Sequence, residues 1–160
     1  MITGIAHVNI LVPPGTLEQT EEFYAGTLGF TSITVPERQK GTLKWFDIVP
    51  GGQQIHVAFG TNELKSSRHP CFKVESPDAL LKLQTRIYEH FESGKQAAPL
   101  EADKPGESSG EFVFLCFWGT FLKSGVGFAV LTDGTGAVGV EYPSRFFARD
   151  YAGNRLEFSL

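Results

Sequence analysis

The order of predicted elements β-α-β-β-β occurs twice along the chain, and this repeat constrains the fold more than any other feature. The first copy covers residues 1–60, and the second covers residues 68–160 with an interruption. An internal duplication is the most economical explanation of such a pattern. The sequence therefore predicts a single domain of the α+β class, built from two tandem βαβββ modules.

The first module begins with alternating residues over Ile5–Val12, which predict a strand that ends at the following prolines. Thr16 and Gln19 have capping-box spacing, which predicts a helix running to about Leu28 with Gly29 just past its end. Three more strands are predicted from β-rich segments bounded by turn residues. Their ranges are Thr31–Val35, Leu43–Val49 and Gln54–Phe59.

The second module follows a short polar linker and repeats the pattern. A strand is predicted over His69–Glu75, and Ser76 with the following proline predicts the start of a helix that ends near Gly94. Two strands close the chain, Ser144–Arg149 and Arg155–Leu160, joined by a turn rich in Asp, Gly and Asn.

An insertion over about residues 97–142 interrupts the second module. Residues 97–110 are loop-like, and Phe112–Trp118 is an apolar run typical of a buried strand. Phe112–Leu131 has the length of a membrane span, but Lys123 at its centre and several glycines argue against one. We interpret the insertion as extra strands or a partly ordered segment; an error in the gene model, such as a retained intron, is the alternative.

The composition is that of an ordinary soluble protein, since 41% of the 160 residues are hydrophobic and 20% are charged. The net charge of −4 gives no electrostatic reason to expect binding to nucleic acid or to an anionic membrane. Cys71 and Cys116 form no disulfide or zinc pattern, which favours a reducing compartment. No signal peptide is visible at the N-terminus, so the sequence predicts a cytoplasmic protein.

Four side chains of the kinds that bind metal ions lie on the polar faces of predicted strands. They are His7, His56, His69 and Glu157. Imidazole and carboxylate groups together suit Zn, Fe, Mn, Co or Ni, and open coordination positions make such a site catalytic. The fourth histidine, His90, falls on the second helix, where we expect a surface residue.

Five segments carry a resemblance to a known family, and the end of the first helix and the C-terminal segment are the most specific in combination. These segments are Gly4–Pro13, Phe23–Phe30, Gln54–Val57, Arg68–Val74 and Arg145–Phe158. In them the chain resembles the vicinal oxygen chelate superfamily, which includes glyoxalase I, bleomycin- and fosfomycin-resistance proteins and extradiol dioxygenases. The resemblance covers nearly everything except residues 97–142.

The resemblance implies paired βαβββ modules whose curved, mixed sheets enclose a shared metal cavity. Carried over residue by residue, the family's ligands on the first and last strands of the modules are His7, His56, His69 and Glu157. Relatives often have Glu or Gln where His56 stands, and some have no ligand there. Without His56, the other three form a two-histidine, one-carboxylate triad. A homodimer is expected, and Phe112–Trp118 is a candidate for its interface.

Three functions stay open at this point. The first is a metal-dependent, glyoxalase-like lyase or isomerase that acts on a small oxygenated metabolite, with a divalent ion (Zn, Ni, Co, Mn or Fe) as Lewis acid and Glu157 as ligand or base. Arg68, next to His69, is the candidate for binding an anionic substrate. The alternatives are an extradiol-type dioxygenase, which requires Fe(II), and a non-catalytic small-molecule binding protein of the bleomycin-resistance type.

Overall fold

The computed structural model describes residues 1–109 and 144–160, and within them it contains two four-stranded mixed sheets with the same topology. The strands are β1 (His7–Val12), β2 (Thr31–Ile33), β3 (Leu43–Asp47), β4 (Gln54–Phe59), β5 (Cys71–Lys73), β6 (Glu101–Ala102), β7 (Arg145–Arg149) and β8 (Arg155–Ser159). The first sheet has the order β1-β4-β3-β2 and the second has the order β5-β8-β7-β6. In each sheet the first and last strands of the module are parallel, and the other pairs are antiparallel. The predicted tandem βαβββ fold is confirmed.

The first helix lies between β1 and β2 and changes its winding part-way along. It begins as α1 (Leu17–Thr20) and continues as a π-helical segment (Glu21–Thr27). The predicted capping box at Thr16 is wrong, because the Thr16 hydroxyl donates to the Pro13 carbonyl, 2.7 Å away, and makes no cap to the helix. Gly29 ends the segment with a φ of 84°, a left-handed conformation that suits glycine, as predicted.

The second helix, α2 (Pro77–Glu92), begins as the sequence predicts. The Ser76 side chain accepts a hydrogen bond from the Ala79 backbone N–H at 3.2 Å, and proline occupies the first helical turn. This cap fixes the point at which the chain leaves β5 and crosses the sheet. A short 3₁₀ turn, Glu37–Gln39, is the remaining helical element of the described residues.

The prediction of a loop over residues 97–110 is corrected by β6, a two-residue strand that pairs with β7. It occupies in the second sheet the edge position that β2 occupies in the first. Most other predicted strands are one to four residues longer than the observed ones, and His69 therefore precedes β5 rather than starting it. The apolar run Phe112–Trp118 and the rest of residues 110–143 lie outside the described residues.

Apolar side chains from both sheets and both helices form one core. Its largest members are fully buried. They include Phe23, Tyr24, Phe46, Ile55, Leu80, Ile87, Phe146, Leu156 and Phe158. Burial of each such side chain contributes roughly 1.5–3 kcal/mol. This core holds the two modules together on their helical side and leaves the opposite face of each sheet to the polar residues.

Polar contacts across the same boundary also join the modules. The Tyr24 hydroxyl of the first module donates to the Asp150 carboxylate of the last turn, at 2.7 Å. Asn154 in the same turn donates to the Leu11 carbonyl on β1, at 2.9 Å. None of the helices in residues 1–109 and 144–160 is long and apolar enough to cross a bilayer.

Candidate functional site

His69 and Glu157 form a close pair on the second sheet. Glu157 stands in the middle of β8, and its register partner on β5 is Cys71, two residues after His69. The His69 Nε2 lies 2.8 Å from the Glu157 Oε2, and the two side chains are 24% and 15% exposed. Both groups are therefore reachable by a small molecule or an ion while most of their surface is protected.

The hydrogen bond of the other His69 ring nitrogen, Nδ1, determines what can lie between the His69 Nε2 and the Glu157 carboxylate. Nδ1 is 2.6 Å from the Ser67 carbonyl oxygen, which can only accept a hydrogen bond, so Nδ1 carries a proton. A neutral ring then presents the Nε2 lone pair to a carboxylate oxygen. Two acceptors at 2.8 Å need a positive centre between them, either a second ring proton or a bound cation.

Aromatic and basic side chains surround the pair. Phe147, opposite Glu157 on β7, packs edge-on against the His69 ring with centroids 5.7 Å apart. The guanidinium group of Arg155 lies over the Phe147 ring, 4.2 Å from its centroid. Arg145 approaches the second oxygen of Glu157 at 3.9 Å. The carboxylate thus lies in a positively charged, partly apolar setting.

The first sheet holds the other two candidates, His7 and His56, as neighbours in a stack of rings. The His7 and His56 ring centroids are 4.1 Å apart with the planes inclined by 9°. Trp45 on β3 stacks on the far side of His56, at 4.3 Å and 5°. Burial lowers the pKa of His56, and the charge of a protonated His7 lowers it further. The stack therefore favours a neutral imidazole at its centre.

The four side chains thus lie in two pairs, His7 with His56 and His69 with Glu157. Within residues 1–109 and 144–160, no group of three or more His, Cys, Asp or Glu side chains is close enough to hold a metal ion. Each sheet of the single chain carries half of the candidate ligands on its polar face.

A cavity of about 680 Å³ lies at the junction of the modules, and His69 forms part of its wall. Asn9 and Leu11 on β1 line one side, and Arg68 lines the other. Cys71 also borders this cavity, with its thiol 3.3 Å from the Ser159 hydroxyl. Arg68 is exposed, and it lines this cavity together with its sequence neighbour His69.

Two other polar residues differ from what the sequence indicates. His90 is not a surface residue: its side chain is 9% exposed, and Nδ1 lies 2.7 Å from the Thr27 hydroxyl. Asp150, which the sequence presents as an ordinary turn residue, is fully buried and accepts hydrogen bonds from Tyr24 and Asn154. Its neighbours in the sequence, Arg149 before it and Tyr-Ala-Gly-Asn after it, are typical of an exposed turn and give no sign of its burial.

The fold of the described residues is shared with solved structures. A protein assigned to the glyoxalase family, from Bacillus anthracis, matches with a TM-score of 0.56 and 25% identity, over 99% of this chain and 94% of that one. The chain has the vicinal oxygen chelate fold. The fosfomycin resistance protein FosX from Mesorhizobium loti has the same fold at 15% identity, with a TM-score of 0.56 over 99% of this chain and 92% of that one.

The vicinal oxygen chelate resemblance of the sequence is thereby confirmed. FosX from Listeria monocytogenes, at 16% identity and a TM-score of 0.55 over 99% of this chain and 90% of that one, has been solved in complex with Mn(II) and 1S,2S-dihydroxypropylphosphonic acid. No protein-family model and no curated protein matches the sequence. The similarity that these comparisons show is therefore one of fold.

Proposed function

We propose that this protein is a metal-dependent enzyme of the glyoxalase-like type, a lyase or isomerase, which acts on a small oxygenated molecule. Its metal ligands would be His7, His69 and Glu157. The observation that carries the proposal is the approach of the His69 Nε2 to the Glu157 Oε2 at 2.8 Å, while the single N–H of the neutral ring, at Nδ1, donates to the Ser67 carbonyl. A divalent cation satisfies both facing acceptors.

The donor set fits such an ion. Adjacent ligands at about 2.1 Å from a metal lie about 3 Å apart when they subtend a right angle, which is close to the separation of this pair. The Ser67 carbonyl supplies the outer hydrogen bond that ligating histidines usually make. Imidazole and carboxylate ligands suit Mn, Fe, Co, Ni or Zn, and the Mn(II) complexes of FosX make Mn(II) the first ion to test.

A second copy of the chain would complete the site. The two modules pack through their helical side, and the polar faces of the two sheets carry the two half-sets of ligands. In a homodimer the polar face of one subunit's first module can cover that of the other subunit's second module. His7 of one subunit would then join His69 and Glu157 of the other, as expected for a two-fold symmetric interface.

The chemistry would divide between the ion and the protein. When bound, the metal supplies Lewis acidity toward two neighbouring oxygens of the substrate. Glu157 would help to hold the ion and would act as the general base toward a substrate proton, and Arg145 lies 3.9 Å from its Oε1. Phe147, which is buried, packs against one edge of the His69 ring.

Arg68 is the proposed contact for an anionic group of the substrate. It borders the 680 Å³ cavity that includes His69, and a guanidinium group binds carboxylates or phosphonates through two parallel hydrogen bonds. The phosphonate bound by FosX is a ligand of this chemical kind. Small polyols with a phosphonate or carboxylate group are therefore the first compounds to test.

Two alternatives have distinct consequences. A non-catalytic binding protein would bind its ligand in the same cavity without a metal, and substitution of Glu157 would leave its affinity unchanged. An extradiol-type dioxygenase would require Fe(II) and a catechol. The close pairing of His69 with Glu157 favours a metal site over a purely apolar binding cleft.

Titration of the metal-free protein with Mn(II) tests the proposal. Glu157→Gln and His69→Ala are expected to lower the affinity by at least about 100-fold with the circular dichroism spectrum unchanged. Glu101→Gln is the matched control, because Glu101 is an exposed carboxylate paired with Arg149 on the same sheet. Equal affinities in Glu157→Gln and the wild type would refute the site.

A further inference from the structure

A chain of hydrogen bonds runs along the polar face of the first sheet, from the β3–β4 turn to the ring stack. The Asp47 Oδ2 accepts from the Gly51 backbone N–H at 2.9 Å, and its Oδ1 accepts from the Gln54 Nε2 at 2.9 Å. The Gln54 Oε1 in turn lies 2.8 Å from the His56 Nε2. The three side chains occupy adjacent strands, and Asp47 is 8% exposed.

The direction of every bond in this chain follows from the carboxylate. An ionised Asp47 can only accept, so the Gln54 amide must turn its NH₂ group toward Asp47 and its oxygen toward His56. That oxygen is also only an acceptor, so the His56 Nε2 must donate. This assignment holds whether the His56 ring is neutral or charged. The nitrogen that would ordinarily reach out to a metal is therefore already used.

The His56 ring is fixed in position as well as in proton placement. Trp45 covers one of its faces and His7 the other, with both pairs of planes within 9° of parallel. A ring that is bonded at Nε2 and sandwiched on both faces cannot rotate about its side-chain bonds. His7, on the edge strand of the sheet, rests with one face on this fixed ring.

We propose that His56 is a positioning residue rather than a metal ligand: Asp47 and Gln54 fix its ring, and the fixed ring sets the orientation of His7. The consequence for metal binding rests on the proposed function, in which His7 is a ligand. The orientation of the His7 ring does not depend on that function, and it can be measured in the metal-free protein. A ligand needs a defined lone-pair direction, and within residues 1–109 and 144–160 no hydrogen bond to the His7 ring supplies one.

Nuclear magnetic resonance of the metal-free protein tests the hydrogen-bond chain. The ¹⁵N shifts of the His56 ring are expected to show a proton on Nε2. In Asp47→Asn the new amide can still accept from Gly51 while its NH₂ group faces Gln54, so the Gln54 amide turns over and the His56 proton moves to Nδ1. Asp78→Asn, in the first turn of α2, is the matched control. If the His56 proton stays on Nε2 in Asp47→Asn, the proposed series of hydrogen bonds from Asp47 through Gln54 to His56 is wrong.

The same spectra test whether His56 orients His7. Stacking shifts the His7 ring protons upfield; His56→Phe should keep this shift and His56→Ala should remove it. Shifts of His7 that are identical in His56→Ala and the wild type overturn the positioning role. If the wild type binds no Mn(II), the proposed function fails, and these shifts still decide the positioning role.

Metal affinity then separates a positioning residue from a ligand. We expect His56→Phe to bind Mn(II) within about threefold of the wild type and His56→Ala to bind about tenfold more weakly, the usual size of an effect through an outer contact. Equal, large losses in both variants would identify His56 as a ligand and overturn the proposal, as would full affinity in His56→Ala.

Discussion

Asp150 is the residue whose environment differs most from its appearance in the sequence. It is fully buried in the last turn, where its carboxylate accepts hydrogen bonds from the Tyr24 hydroxyl and from the backbone N–H groups of Ala152 and Asn154. One side chain thus orders the final hairpin and ties it to the first helix. The site residue Glu157 depends on it, because β8 starts from this turn.

Substitution of Asp150 by alanine is expected to lower the free energy of unfolding by about 3 kcal/mol, because several buried donors lose their acceptor at once. Urea denaturation followed by circular dichroism measures this change. Glu37→Ala is the control, because Glu37 is an exposed carboxylate that pairs with the exposed Lys40, and it should change stability by less than about 0.5 kcal/mol. Similar effects of the two substitutions would contradict the role of Asp150.

The buried carboxyl also gives a pH dependence with a defined sign. Burial raises the pKa of Asp150, and its hydrogen bonds with Asn154 and Tyr24 only partly oppose the rise. The stability that Asp150 contributes is therefore fully present below the unfolded pKa of about 3.9 and is lost as pH rises through the folded pKa.

We therefore expect the unfolding free energy of the wild type minus that of Asp150→Asn to decrease as pH rises from 4 toward neutrality. The variant serves as the reference because asparagine does not titrate over this range. Urea denaturation of both proteins at several pH values measures the difference. A difference that grows with pH would show that the folded protein prefers the ionised form.

Most helices and strands could be predicted from the sequence, because the local signals of caps, turns and periodicity agree with the tertiary packing. Strand β4 has the predicted bounds Gln54–Phe59, and α2 starts at its predicted cap, Ser76. Strand β6 could not be predicted, because two residues carry no periodicity and are held only by pairing with β7. The π-helical winding of Glu21–Thr27 likewise has no local sequence signal.

The cap of α2 can be tested by itself. Ser76→Ala is expected to lower the free energy of unfolding by about 1 kcal/mol, because the Ala79 N–H loses its acceptor. Thr85→Ala on the same helix is the control: its hydroxyl bonds the Leu81 carbonyl, which already belongs to the helix, and alanine has the higher helix propensity. Equal losses in both variants would contradict the cap.

The candidate ligand residues could be named from the sequence, but which of them lie together could not. Alternation along strands places His7 and Glu157 on polar faces, as the structure has them. The alternation of residues along a strand does not predict which polar faces lie close together. That depends on how the modules pack through Tyr24, Asp150 and the shared core. The pairing of His56 with Gln54 and Asp47 likewise depends on strand register, which sequence does not supply.

In the intact dimer, a site shared between subunits predicts that two inactive variants restore one site when mixed. His7→Ala and Glu157→Gln homodimers should each lack metal. Mixed subunits form about one-half heterodimers, in which one site carries both substitutions and the other carries neither. About a quarter of the wild-type Mn(II) content should therefore return.

Mixing after partial denaturation and refolding, followed by size-exclusion chromatography and metal analysis, measures this recovery. A mixture of His69→Ala and Glu157→Gln is the control, since both substitutions lie in the same half-site and no heterodimer site is intact. Recovery in the control, or none in the test mixture, would contradict a site shared between subunits.

Metal content of the protein purified without a histidine tag tests whether this protein is a metalloenzyme. Elemental mass spectrometry of the wild type should find about one transition-metal ion per chain, and His69→Ala and Glu157→Gln should have lost it. Manganese, zinc, nickel or cobalt would support lyase or isomerase chemistry, and iron would favour the dioxygenase alternative. A wild type that holds no metal, even after reconstitution with each ion, would contradict the metalloenzyme.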